Sequence, residues 1–160
     1  MDIFFSAETV GQRRAGIALY IAIIVDDRKK ELMAQFCIAY CGILAKHHLY
    51  ATGTTGNYIR AATGLQPERL LSGEHGGTQQ VISRIAYDEI DMLIFFRDTA
   101  PDAMLEDDAN LLRMCDAHNV PVATNMATAE ILVRALDRGD LDWREIVNPH
   151  SDKYIPIKSK

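Results

Sequence analysis

The chain lacks an excess of basic residues: 17 Lys and Arg stand against 22 Asp and Glu, for a net charge of -5. With no basic block to offset that balance, a nucleic-acid partner is not expected. A few local cations can still hold a small anion inside an acidic protein. Cysteine is scarce. Cys37, Cys41 and Cys115 are an odd set of three, which fits reduced thiols rather than a disulfide framework. Long apolar runs are missing too. The segment Gly16–Val25 (GIALYIAIIV) follows Arg13-Arg14 as the apolar part of a signal peptide would, but Asp26-Asp27-Arg28-Lys29-Lys30 comes next, with no small-residue cleavage site. It is also well short of the roughly 20 residues that span a bilayer. A buried parallel strand is the expected reading, in a cytoplasmic protein with no membrane partner. Internal repeats and low-complexity linkers are absent, so residues 1–160 read as a single domain. Residues 1–15 form an N-terminal extension and 148–160 a loose tail.

What is present is apolar material, 48% of the chain, enough for a core without metal or disulfides. It alternates between two periods. Gly16–Val25, Leu49–Ala51, Leu70-Leu71, Met92–Phe96 and Pro121–Thr124 read as buried strands. Between them, helical spacing appears in Leu32, Met33, Phe36, Cys37, Tyr40, Ile43 and Leu44. Further helices are expected near Asn57–Ala62, Gly77–Tyr87, Asp107–His118 and Ala127–Arg138, the last stopped by Gly139. Trp143, Ile146 and Val147 are expected to cap the core. Strands alternating with helices predict an α/β domain with a mainly parallel sheet. Ligands then sit beyond the strand carboxyl ends. Asp26-Asp27, Thr52–Thr55, Ser72-Gly73, Asp98 and Thr124-Asn125 fall on that rim.

One stretch organises the rest: Leu49 to Gln80, LYATGTTGNYIRAATGLQPERLLSGEHGGTQQ. A strand breaks into Thr52-Gly53-Thr54-Thr55-Gly56 and turns helical. A helix start offers unpaired N–H groups and a positive dipole end, glycines let the backbone close on an anion, and threonines add hydroxyl donors. Ser72-Gly73 and Gly76-Gly77-Thr78-Gln79-Gln80 form a second such turn, and two turns can build one pocket.

Together with IDMLIFFRD, NVPVATNMATAEIL and ALDRGDLDW, these motifs resemble the methylglyoxal synthase family from about Ile17 to Val147. The resemblance implies a three-layer α/β sandwich, a homohexamer, and conversion of dihydroxyacetone phosphate to methylglyoxal and inorganic phosphate, with no cofactor and no metal. A carboxylate would remove a proton beside the carbonyl, and the enediolate would expel phosphate. It further implies that Lys30, Thr52, Gly53, Thr54, Thr55, Ser72 and Gly73 hold the substrate phosphate. Asp27 and Asp98 match family acids. Thr78 occupies the position of the family's catalytic Asp in Gly-Gly-Asp-Gln-Gln, and Asp26 that of a histidine after the first strand. The family's second histidine has no counterpart between Asp98 and Arg113. A threonine hydroxyl is no base at neutral pH, so proton transfer would pass to Asp26 or Asp98. A second reading stays open: a phosphate-ester-binding regulatory domain of the same fold, similar to the effector end of carbamoyl phosphate synthetase.

Other residues carry a bland reading beside the chemical one. Cys37 and Cys41 with His47 and His48 could suggest zinc, but their spacing is that of a helix core. His47 and His48 are expected at a helix end, as dipole-stabilised cations. Asp26 suits the first turn of a helix as well as it suits a base. Glu74 and His75 read as loop residues or as a relocated acid–base pair. Arg60 and Arg97 read as surface or subunit-contact charges within reach of a phosphate.

Overall fold

The computed structural model describes residues 17–72, 76–100 and 106–149. Five strands form one sheet: β1 (Tyr20–Val25), β2 (His48–Thr52), β3 (Glu68–Leu70), β4 (Met92–Phe96) and β5 (Val122–Ala123). Their spatial order is β3-β2-β1-β4-β5, and every pairing is parallel. Among the described residues, seven α-helices flank it: α1 (Lys30–Ala39), α2 (Cys41–Leu44), α3 (Gly53–Thr63), α4 (Gly77–Ala86), α5 (Glu106–Ala117), α6 (Met126–Arg138) and α7 (Trp143–Val147).

The continuous apolar strands make sense because both sheet faces are covered. Alternate residues of β1 and β4 point to opposite sides. Ile21, Ile23, Met92, Ile94 and Phe96 meet Met33, Phe36 and Cys37 of α1, Ile59 of α3, and Val133 and Leu136 of α6. Ala22, Ile24, Leu93 and Phe95 meet Val81 and Ile85 of α4, and Leu111 and Cys115 of α5. The result is a three-layer α/β sandwich. The strand order reverses between β1 and β4, so the carboxyl ends of those strands open a crevice.

Several local expectations are corrected. The first strand begins at Tyr20, not Gly16. A 3-10 turn over Asp27–Lys29 precedes α1, which starts at Lys30. The edge strand is Glu68–Leu70, because Tyr50–Thr52 pair with those residues, and Leu71 is left exposed. His47 is no dipole-stabilised cation. It is buried, its Nδ1 accepts the Leu19 N–H at 3.0 Å, and burial pushes its pKa down to about 4. His48 starts β2 and stacks on Tyr20 with ring centroids 4.3 Å apart.

Trp143, Ile146 and Val147 do not cap the core. They are exposed at 44%, 70% and 63%, and Arg144 is the buried residue of α7. Its Nε lies 3.1 Å from Asp91 Oδ1, and its Nη1 and Nη2 donate to the carbonyls of Asn119 and Ile90. Asp91 Oδ2 accepts the Tyr20 N–H at 2.9 Å. This pair knits the amino-terminal edge of the sheet, at the opposite end from the crevice.

Candidate functional site

The two glycine turns of the central stretch meet. β2 ends at Thr52, and α3 begins at Gly53, four residues earlier than its composition suggests. Thr54 and Thr55 are therefore helical, in the first turn of α3, where backbone N–H groups lack intrahelical acceptors. Gly53 has φ +22°, and a Cβ on it would stand 2.8 Å from Ser72 Cα. Its N–H donates to the Leu71 carbonyl at 3.2 Å. From the other side, the Gly77 N–H donates to the Ser72 carbonyl at 2.8 Å, and a Cβ on Gly77 would lie 1.9 Å from Leu71 O. Leu71-Ser72 is thus clamped between the starts of two helices, and only glycine fits on either side.

Two cavities open from this junction. One, of about 320 Å³, is lined by Asp27, Lys30, Thr54, Thr55, Asn57 and Tyr58, among others. The other, of about 640 Å³, is lined in part by Gly53, Thr54, Asn57 and Ser72. Thr54 and Asn57 stand on the wall between them. Lys30 is exposed as the first residue of α1, with its Nζ 5.6 Å from the centre of the Tyr58 ring. The structure thus brings Lys30 together with Thr54 and Thr55, and Gly53 and Thr54 together with Ser72. Thr52 is buried at the end of β2. Gly73, Glu74 and His75 lie outside the described residues.

The acids sit on the same rim, after β1 and β4. The Asp26 N–H donates to the Phe96 carbonyl at 2.7 Å, extending the β1–β4 ladder by one step. The Asp26 carboxylate accepts the Arg28 N–H at 3.0 Å and caps the 3-10 turn. Asp98 Oδ1 accepts the Ala100 N–H at 3.2 Å, and Asp98 Oδ2 lies 3.4 Å from Arg28 Nη1. Arg28 therefore joins the two acids, one through its backbone and one through its side chain. The Arg28 side chain is 76% exposed, so the pair adds little stability. Thr78 is buried at 6% in the first turn of α4, next to the clamped Leu71-Ser72. Among the described residues, no group of three or more His, Cys, Asp or Glu could hold a metal ion, and no helix is long and apolar enough to cross a membrane.

Asn57, Tyr58, Arg69 and Arg28 were not expected at the site. Tyr58 was legible: it lies four residues after Thr54, on the same helical face, once α3 is started at Gly53. Arg28 carried a weaker signal, two residues after a capping Asp.

Residues 34–124 match the model of the MGS-like domain. The chain belongs to the methylglyoxal synthase-like family. It is 62% identical over 134 residues to a methylglyoxal synthase of Caldicellulosiruptor saccharolyticus, covering 83% of this chain and 95% of that protein. It is 52% identical over 134 residues to one of Oceanobacillus iheyensis, covering 83% and 96%. A crystal structure of methylglyoxal synthase from Elizabethkingia anophelis superposes with a TM-score of 0.66 at 37% identity, over 72% of this chain and 77% of that one.

Proposed function

We propose that this protein is a methylglyoxal synthase-type lyase, which converts dihydroxyacetone phosphate to methylglyoxal and inorganic phosphate. The observation that carries the reading is the clamp of Ser72 between Gly53 and Gly77, in a chain 62% identical to a methylglyoxal synthase. In this reading Lys30, Thr52, Gly53, Thr54, Thr55, Ser72 and Gly73 hold the phosphate. The start of α3 supplies N–H donors and a favourable dipole, and Lys30 supplies a full charge.

The chemistry then needs a base for the carbon-bound proton beside the carbonyl. Removing it leaves an enediolate. As that electron pair folds back, the carbon–oxygen bond to phosphate breaks, phosphate leaves with the bonding pair, and the enol that remains takes up a proton at its terminal methylene carbon to become methylglyoxal. Thr78 stands at the family's base position and has no basic atom. The proton therefore passes to Asp26 or Asp98, which flank the crevice, and the Arg28 guanidinium beside Asp98 offers a cation for the developing negative charge. The protein works in the cytoplasm as a homohexamer. Gel filtration with light scattering tests that assembly.

A second reading rests on one observation. Both acids already have hydrogen-bonded structural work, and Thr78 is buried without a carboxylate. That arrangement suits a domain that binds phosphate esters without turning them over. The deciding experiment follows phosphate release and methylglyoxal formation together from dihydroxyacetone phosphate. Equal, enzyme-dependent release of both supports the lyase. No release, with thermal stabilisation by phosphate esters, gives the protein to the binding reading.

A further inference from the structure

The larger cavity, on the β3 side of Thr54, is lined by two arginines, Arg60 and Arg69, that the proposed reaction does not use. At about 640 Å³ it is about twice the size of the cavity beside Lys30, at about 320 Å³. One wall is a face of α3: Gly53, Asn57 and Arg60 recur at spacings of four and three, so their side chains share one side of the helix. The facing wall is β3, which contributes Glu68 and Arg69. Arg69 is held in place. Its stem lies across Gly56, where a Cβ would be 2.6 Å from Arg69 Cγ, and its guanidinium donates to Asn57 Oδ1. Glu68 is the carboxylate of this lining, and Arg84 of α4 lies 3.7 Å from it. The cavity is therefore positive inside a chain of net charge -5, and the α3 dipole adds to that at the Gly53 end. Guanidinium groups recognise phosphate through paired N–H donors.

We propose that this cavity is a second anion subsite, in which Arg60 and Arg69 receive the second phosphoryl group of a small bisphosphate whose first phosphate lies between Thr54 and Ser72. The inference deepens the reading of Thr54 and Ser72 as a phosphate cradle and rests on it. It adds a ligand class: short-chain bisphosphates occupy cradle and subsite together and compete with the monophosphate substrate.

Isothermal titration of the full chain with propyl phosphate and with 1,3-propanediol bisphosphate tests this. The wild type should bind the bisphosphate about tenfold tighter or better, the scale of one charge-assisted contact. Arg60→Met and Arg69→Met keep the apolar stems and remove the charge, and each should bring that ratio down to about threefold or less. An unchanged thermal midpoint without ligand checks that the variants fold. Equal affinity for the two probes in the wild type, or an undiminished ratio in the double variant, overturns the subsite. Lys30→Ala separates the two readings. If it weakens propyl phosphate binding while the arginine variants keep the wild-type ratio, the second subsite alone falls. If propyl phosphate stays bound at wild-type affinity in both Lys30→Ala and Ser72→Ala, the cradle falls and the subsite with it.

Discussion

Gly53 and Ser72 are packed so tightly that a single methyl group on Gly53 would lie 2.8 Å from Ser72 Cα and 2.9 Å from Ser72 Cβ. The φ of +22° at Gly53 adds strain for any side chain. Gly53→Ala should therefore push the two turns apart. The contact sits on the rim and the core lies below it, so the cost should fall on the site. Phosphate-ester affinity should drop by about tenfold or more, the equivalent of one lost charge-assisted hydrogen bond, while the urea midpoint moves only modestly. Titration with propyl phosphate alongside urea unfolding checks both. Wild-type affinity in Gly53→Ala would mean that the clamp does not shape the phosphate site.

Thr78→Asp should restore a carboxylate at the start of α4. An acid in the first turn suits the dipole, which offsets part of the cost of burying a carboxylate at this 6%-exposed position. Positioned proton transfer contributes about 10²–10⁴-fold, so turnover of dihydroxyacetone phosphate should rise by about 10²-fold if the base limits the rate. Steady-state kinetics near neutral pH give the answer. An unchanged kcat in a variant that still binds phosphate esters would show that the base alone does not limit the reaction, and that the missing histidines or the shortened loop after Asp98 limit it as well.

The sheet was legible in the sequence because strands buried on both faces leave continuous apolar runs, such as Met92–Phe96, that few other structures produce. The start of α3 was not. Thr-Gly-Thr-Thr-Gly has the composition of a loop, and only the contact with Leu71-Ser72, far along the chain, makes it the first turn of a helix. That four-residue error hid Tyr58 as a neighbour of Lys30. The role of Arg144 was hidden for a related reason. Within Trp143–Val147 the apolar residues look like the inward face, yet an ion pair with Asp91, 53 residues away, turns Arg144 inward instead. Local pattern cannot report a partner that only the fold supplies.

The Arg144–Asp91 pair should be a stability element with no part in binding. Arg144 is 1% exposed and Asp91 0%. Arg144→Met would leave a buried carboxylate whose other oxygen still accepts the Tyr20 N–H. Breaking one side of a buried pair typically costs about 3–5 kcal/mol. Removing both charges in Arg144→Met/Asp91→Asn should cost less than the two single changes added together. Urea unfolding of the four proteins measures the coupling. Strict additivity would show that the two side chains stabilise the fold independently.

His47 should make the fold sensitive to mild acid. A backbone N–H can only donate, so the Leu19 contact fixes His47 Nδ1 as the acceptor and leaves the ring proton on Nε2. Protonating Nδ1 would break that bond and place a charge in a buried site. Burial, the largest cause, lowers the pKa from 6.5 to about 4; the neighbouring Lys46 and His48 lower it further, and Asp137 and Asp91 oppose them. The unfolded chain thus takes up a proton near pH 6.5 that the folded chain refuses until about pH 4. Stability should be full above pH 6.5 and fall as the pH drops through that window, by about 3 kcal/mol in all. His47→Asn keeps an acceptor near the Nδ1 position and has nothing to titrate. The difference in unfolding free energy between wild type and His47→Asn should therefore narrow or reverse between pH 7 and pH 5. A difference that stays constant across that range would mean that His47 binds its proton equally well in the folded and unfolded chains.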